Sequence, residues 1–158
     1  MKYFTFSFLL MLSPLFLIAH ERDSIGVEDV PFAIIDQAPI FPGCEKLDNS
    51  LQKLCLQNQI KSHVNKNFNL NFVSKLNLEP GKKKIYVRFI INKEGIIEDV
   101  KARGPHKELE LEGIRVIKSL PNMIPGKHKD KTVGVKYVIP ITFLVDLKTK
   151  KKRKRKKS

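Results

Sequence analysis

Acidic side chains are scarce. Sixteen Asp and Glu stand against 30 Lys and Arg in 158 residues, giving a formal net charge of +14. Cysteine is scarcer still. Two residues cannot build a cysteine-dense scaffold or a zinc site of four cysteines. The four histidines, His20, His63, His106 and His128, show no metal-ligand spacing. Walker loop, dinucleotide fingerprint and nucleophile elbow are all missing. No internal repeat is visible, which argues against a solenoid or propeller. No catalytic constellation, metal set or cofactor motif emerges, so the chain does not read as an enzyme. What is present is apolar content of 42%, enough to rule out wholesale disorder. A chain of this length is most simply one domain that buries roughly two thirds of its unfolded surface.

The positive charge is concentrated at one end. Residues 148–158 hold nine basic side chains and no acid, which takes the net charge from +14 to +5 for the rest. Like charges repel and bury no apolar area, so this segment is expected to be a disordered polybasic tail. Lys151, Lys152, Arg153, Lys154 and Arg155 form its densest run. It is either a solvated extension or a contact for anionic lipid, lipopolysaccharide or nucleic acid.

The other end reads as a targeting segment over residues 1–19. Met1 and Lys2 precede an apolar run, Tyr3 to Ala19, that ends abruptly at His20-Glu21-Arg22-Asp23. This is the pattern of a secretory signal cut after Ala19. Its apolar length of about 17 residues also reaches the lower limit for a membrane anchor. No Cys precedes Cys44, so lipid attachment at a cut site is excluded. Both readings send the body out of the cytoplasm, and both make nuclear import a poor account of the tail. An oxidising compartment favours pairing of Cys44 with Cys55, against the alternative of two free thiols. The bridge would close a loop of about 12 residues and contribute roughly 2–3 kcal/mol.

Residues 20–29 read as a short linker and residues 30–147 as the folded domain. Pro31 to Ile35 is a brief apolar run that could form an edge strand. A helix is expected over Asp48 to Phe68, capped by Asp48, Asn49 or Ser50. Leu56, Ile60, Val64 and Phe68 share one face, with half-buried His63 beside them. Glu79-Pro80-Gly81 signals a turn. Lys84–Asn92 alternates in strand period, with Ile85, Val87, Phe89 and Ile91 inward. Asn92 to Gly95 makes the hairpin loop, and Ile96 to Ala102 returns. A second helix runs from Lys107 to Leu120, with Leu109, Gly113, Val116, Ile117 and Leu120 as its stripe. Glu108, Glu110 and Glu112 read as its solvated first turn. Pro125 to Lys129 reads as an exposed loop. Thr132 to Asp146 is the last strand, at an edge or with Pro140 facing outward. The expected fold is α+β: a small three-stranded antiparallel sheet packed with two helices, in the order helix-strand-strand-helix-strand.

A family resemblance rests on the order of several short motifs. They are Val30-Pro31-Phe32-Ala33, Phe41-Pro42-Gly43-Cys44, Tyr86 to Gly95, Arg103-Gly104-Pro105, Leu120-Pro121, Pro125-Gly126-Lys127 and Val138 to Phe143. Together they resemble the C-terminal domain of TonB-type energy transducers over about three quarters of the chain. The resemblance implies a periplasmic domain that contacts TonB-dependent outer-membrane transporters and works with an inner-membrane proton-motive complex. It implies that the transporter's TonB-box segment adds as a strand to the last strand. The partner-binding residues would then be Val135, Lys136, Tyr137, Val138 and Ile139. Leu70-Asn71 and Met123 depart from the family pattern. So does the linker before the domain, whose extended reach is only about 36 Å.

Three functions are therefore in view. One is protein binding by strand addition, in support of transmembrane transport. The second is attachment of the tail, with Lys127, Lys129 and Lys131, to an anionic envelope surface. The third is homodimerisation through the same edge strand.

Overall fold

The structure is a computed structural model that describes residues 29–146. The expected leader, most of the linker and the polybasic tail with Lys151, Lys152, Arg153, Lys154 and Arg155 lie outside the described residues.

The first helix, α1 (Asn49–Asn67), starts where Asp48 can cap it. The Leu51 N–H donates to Asp48 Oδ1 at 3.0 Å, and the Ser50 hydroxyl donates to the same oxygen at 2.7 Å. Leu56, Ile60 and Val64 are buried at four-residue intervals. The second helix, α2 (Lys107–Lys118), is capped by His106, whose Nδ1 accepts from Glu108 N–H at 3.3 Å. It buries Leu109, Gly113, Val116 and Ile117. Gly113 permits close approach to the sheet, since a Cβ there would sit 3.0 Å from Val87 Cγ2. The two helices are tied at their ends. His63 Nε2 reaches Val116 O at 3.2 Å and Ser119 Oγ at 3.0 Å.

The sheet is built on two eleven-residue strands, β2 (Gly81–Ile91) and β6 (Val135–Val145). They pair antiparallel over their whole length, from Gly81↔Val145 to Ile91↔Val135. β3 (Ile97–Arg103) pairs antiparallel on the other side of β2. Asp99 and Val100 together oppose Phe89 there, a bulge with Asp99 at φ 45°. The strand order is β1-β6-β2-β3, where β1 (Val30–Pro31) lies parallel to the start of β6. The helices cover one face of this sheet, and Phe89, Leu56, Ile60, Ile85, Ile91, Leu109 and Ile117 fill the layer between them. Among the described residues no helix is long and apolar enough to cross a membrane.

The order of the five long elements, helix-strand-strand-helix-strand, is the expected one. The sheet itself differs: it has four strands and is mixed, not three and antiparallel. The added strand is two residues long, too short to leave a periodic signature. Val30 N–H donates to Gly134 O at 2.8 Å and Phe32 N–H to Lys136 O at 3.0 Å. The chain then turns, so the apolar run to Ile35 is not a longer strand.

The last strand is also shorter than expected. Residues ahead of it form a separate hairpin, β4 (Lys127–His128) and β5 (Lys131–Thr132), in place of an exposed loop. Its two turn residues, Lys129 and Asp130, both have positive φ, 50° and 60°. That is the geometry of a primed turn, made without the glycine that normally announces one. Lys127 is fixed from the other side as well, exchanging both backbone bonds with Gln37 at 2.9 and 3.0 Å.

The expected disulfide is present. Cys44 and Cys55 are bonded, with Cα atoms 6.2 Å apart. Cys44 is fully buried, so the bridge pins the incoming segment to α1. Glu110 and Glu112 depart from a merely solvated turn. Glu112 accepts from Asn69 N–H at 2.7 Å and pairs with Arg115, whose guanidinium also donates to Asn67 O at 2.7 Å. The Arg115 guanidinium holds the Glu112 carboxyl below the usual range, aided by Asn69 N–H.

A free sheet edge beside a groove

Among the described residues, β6 is flanked by β2 along its full length but by β1 only at Val135 and Lys136. In a strand, one residue's N–H and C=O point to one side, and successive residues alternate. Lys136 O accepts from Phe32, so the even-numbered residues of β6 present their backbone to the outer edge. The odd-numbered residues present theirs to β2.

This parity sorts the five residues expected to bind a partner. The backbones of Val135, Tyr137 and Ile139 face β2. The outward carbonyl of Lys136 is held by Phe32. Val138 is the first residue of the five on open edge, and the edge continues through Pro140, Thr142 and Leu144. Pro140 has no N–H to offer, and its gap falls on the outer side. The β2 ladder therefore loses nothing to it, while the edge is partly blunted against indiscriminate pairing. The sequence had left both placements of Pro140 open.

Beside this edge lies a groove of about 530 Å³, walled by Gln57, Lys61 and Asn65 of α1 and floored by Val64, Ile139 and Ile141. A smaller hollow of about 220 Å³ continues at the far end of β6, between Leu70-Asn71 and Phe143 to Asp146. An extended segment laid on the edge would have backbone partners on one side. It would have an apolar floor beneath and amide and ammonium groups across from it.

Tyr137 closes the groove at its start. Its ring lies 4.6 Å from Phe32 and 5.3 Å from Phe89, and Lys53 Nζ sits 5.0 Å above the Phe32 ring. Burial pushes the Tyr137 hydroxyl up to about 12, so it stays protonated. Sequence reasoning placed a strand over Thr132 to Asp146 but missed the α1 wall of Gln57, Lys61 and Asn65.

Lys127, Lys129 and Lys131 sit on the hairpin that precedes β6, whereas the tail follows its far end. A strand length of about 34 Å separates the two ends. His128 Nδ1 lies 3.0 Å from Asp36 Oδ2, which also accepts from Lys129 N–H at 2.8 Å. These contacts anchor the hairpin to the N-terminal segment. Among the described residues no group of His, Cys, Asp and Glu could hold a metal ion. A scan against protein-family models, a search of curated proteins and a search of solved structures each return no match for this chain.

Proposed function

We propose that this is a binding domain of the TonB C-terminal kind, not an enzyme. It takes up an extended segment of a TonB-dependent outer-membrane transporter by strand addition. It acts in the periplasm, exported by residues 1–19, alongside an inner-membrane proton-motive complex. One observation carries the binding mode: among the described residues the outer edge of β6 is unpaired from Val138 onward and runs beside the α1 groove. Backbone bonds to Val138, Pro140, Thr142 and Leu144 supply affinity, and the groove selects side chains. Each such bond contributes about 1 kcal/mol net, offset by ordering of the peptide. The domain therefore holds its partner weakly and reversibly. The motif order from Val30 to Phe143 supports the family assignment, and the Cys44–Cys55 bridge suits an exported chain.

Photo-crosslinking in cells from position 142 tests this, with mass spectrometry of the products. A crosslink to an outer-membrane transporter is the expected result. Crosslinks to a second copy alone would replace the proposal with homodimerisation through the same edge. Absence of any product from well-expressed protein would overturn strand addition altogether.

A further inference from the structure

Among the described residues the helices cover one face of the sheet and leave the other exposed. On the other face the cross-strand register sets cations in rows. Lys82 stands beside Leu144, and Lys84 beside Thr142. Arg103, Tyr86 and Pro140 form the next row, then Lys101, Arg88 and Val138, and then Ile90 with Lys136. All six cations are exposed. They occupy a strip about 27 Å long and about 10 Å wide, from residue and strand spacings. Glu98 and Asp99 are acids of this strip, and Asp29 stands at its end, beside Gly134 and Ile90. Asp99 lies 2.6 Å from Lys101 and 3.5 Å from Arg88, which leaves Lys82, Lys84, Arg103 and Lys136 outside any ion pair among the described residues.

Apolar side chains stand between the cations. Leu144 is 72% exposed, Val138 60% and Tyr86 50%. A phosphate backbone would match the cations but offer Leu144 and Val138 nothing. The interface of an anionic bilayer matches both, with headgroup charge outside and acyl chains just beneath.

We infer that the uncovered sheet face, through Lys82, Lys84, Arg88, Lys101, Arg103 and Lys136, is a docking surface for an anionic phospholipid bilayer. Leu144, Val138 and Tyr86 enter the headgroup layer. The contact is independent of strand addition, because it uses side chains of the face and not backbone at the edge. It is also independent of the tail, although Lys82 and Leu144 lie at the end of the sheet from which residues 148–158 continue.

The test is flotation of the full chain with phosphatidylcholine vesicles, with and without phosphatidylglycerol. The apolar run of residues 3–19 adds to both, so the difference between them is the readout. Lys82→Glu with Lys84→Glu is expected to lower that difference at least about tenfold, since each cation near an anionic surface contributes roughly that order. The loss is expected equally in a chain lacking residues 148–158. Lys75→Glu with Lys118→Glu removes the same charge from exposed positions off the face, and is expected to change partition less than about threefold. Leu144→Ser is expected to lower partition several-fold without changing charge. Equal losses from the two charge swaps would show attraction by net charge alone and overturn the site. So would indifference to the Lys82 and Lys84 changes, or preference for a DNA duplex over the anionic vesicles. Crosslinking from position 142 reports on the edge separately, so failure of one proposal leaves the other readable.

Discussion

Proline substitution at neighbouring positions of β6 reads the strand's parity directly. Thr142 directs its N–H to the open edge, whereas Ile141 directs its N–H to β2 opposite Ile85. Thr142→Pro removes no ladder bond, and Pro140 already shows that the strand accepts a ring on that side. The expected cost is below about 1 kcal/mol, from lost strand propensity and the fixed φ. Ile141→Pro removes a ladder donor, leaves the Ile85 carbonyl short of a partner and trims a side chain that is 7% exposed. Its expected cost is about 3 kcal/mol or more. For a domain of this size the difference between the variants is roughly 10 °C in Tm, measurable by circular dichroism. Peptide binding should respond in the opposite sense to stability. Thr142→Pro deletes one of the donors a partner strand would use, so Kd for a transporter-derived peptide should rise about fivefold by titration calorimetry. Equal destabilisation by the two prolines would refute the assigned backbone direction. Unchanged peptide affinity of folded Thr142→Pro would refute pairing at this edge.

Other perturbations have equally definite outcomes. Gly95 has φ 79°, and a Cβ there would fall 1.7 Å from the Met123 carbonyl oxygen, so Gly95→Ala should destabilise by at least about 2 kcal/mol in urea unfolding. Breaking the Cys44–Cys55 bridge by paired serine substitution should cost about 3 kcal/mol, and thiol titration of the native chain should find no free cysteine. The Glu112 carboxyl is held below its ordinary value of 4.5 by Arg115, so its folded pKa lies under its unfolded one. Its stabilisation is complete above the unfolded pKa and fades as pH falls through the folded value. Glu112→Gln should therefore lower Tm at neutral pH and flatten the acid limb of Tm against pH. An unchanged limb would show that the pair with Arg115 is screened away.

Long, strongly periodic elements were legible in the sequence. Ile85, Val87, Phe89 and Ile91 alternate through a strand buried on one face, and Leu56, Ile60 and Val64 recur along a helix, so local pattern and tertiary burial agree. The short elements were not legible. β1 is two residues held by two backbone bonds, and no side-chain period exists over that length. The β4–β5 hairpin turns on Lys129-Asp130, residues that carry no glycine signal. The groove wall of Gln57, Lys61 and Asn65 is polar helix surface whose meaning comes from standing opposite β6, a relation between segments about 80 residues apart in sequence. The cationic rows were hidden for the same reason. Lys82, Lys101 and Lys136 belong to three strands, and only the register aligns them on one face.

Edge and face share β6, and their geometry sets how two ligands would affect each other. A strand added at Val138 to Leu144 lies in the plane of the sheet, about 4.8 Å further out, and widens the uncovered face by one row. It does not cover Lys82, Lys84 or Arg88, so it cannot compete with a bilayer sterically. Its influence is electrostatic, through alternate side chains that emerge beside Val138, Pro140 and Thr142. A peptide with neutral residues at those places should leave partition into phosphatidylglycerol vesicles within about twofold. One with acids there should weaken it, and by linkage the vesicles should weaken that peptide's binding by the same factor. Measuring both sides of the cycle checks the geometry without assuming either affinity. Complete displacement of the vesicles by a neutral peptide would mean that the two ligands meet the same groups, and that the face does not act apart from the edge.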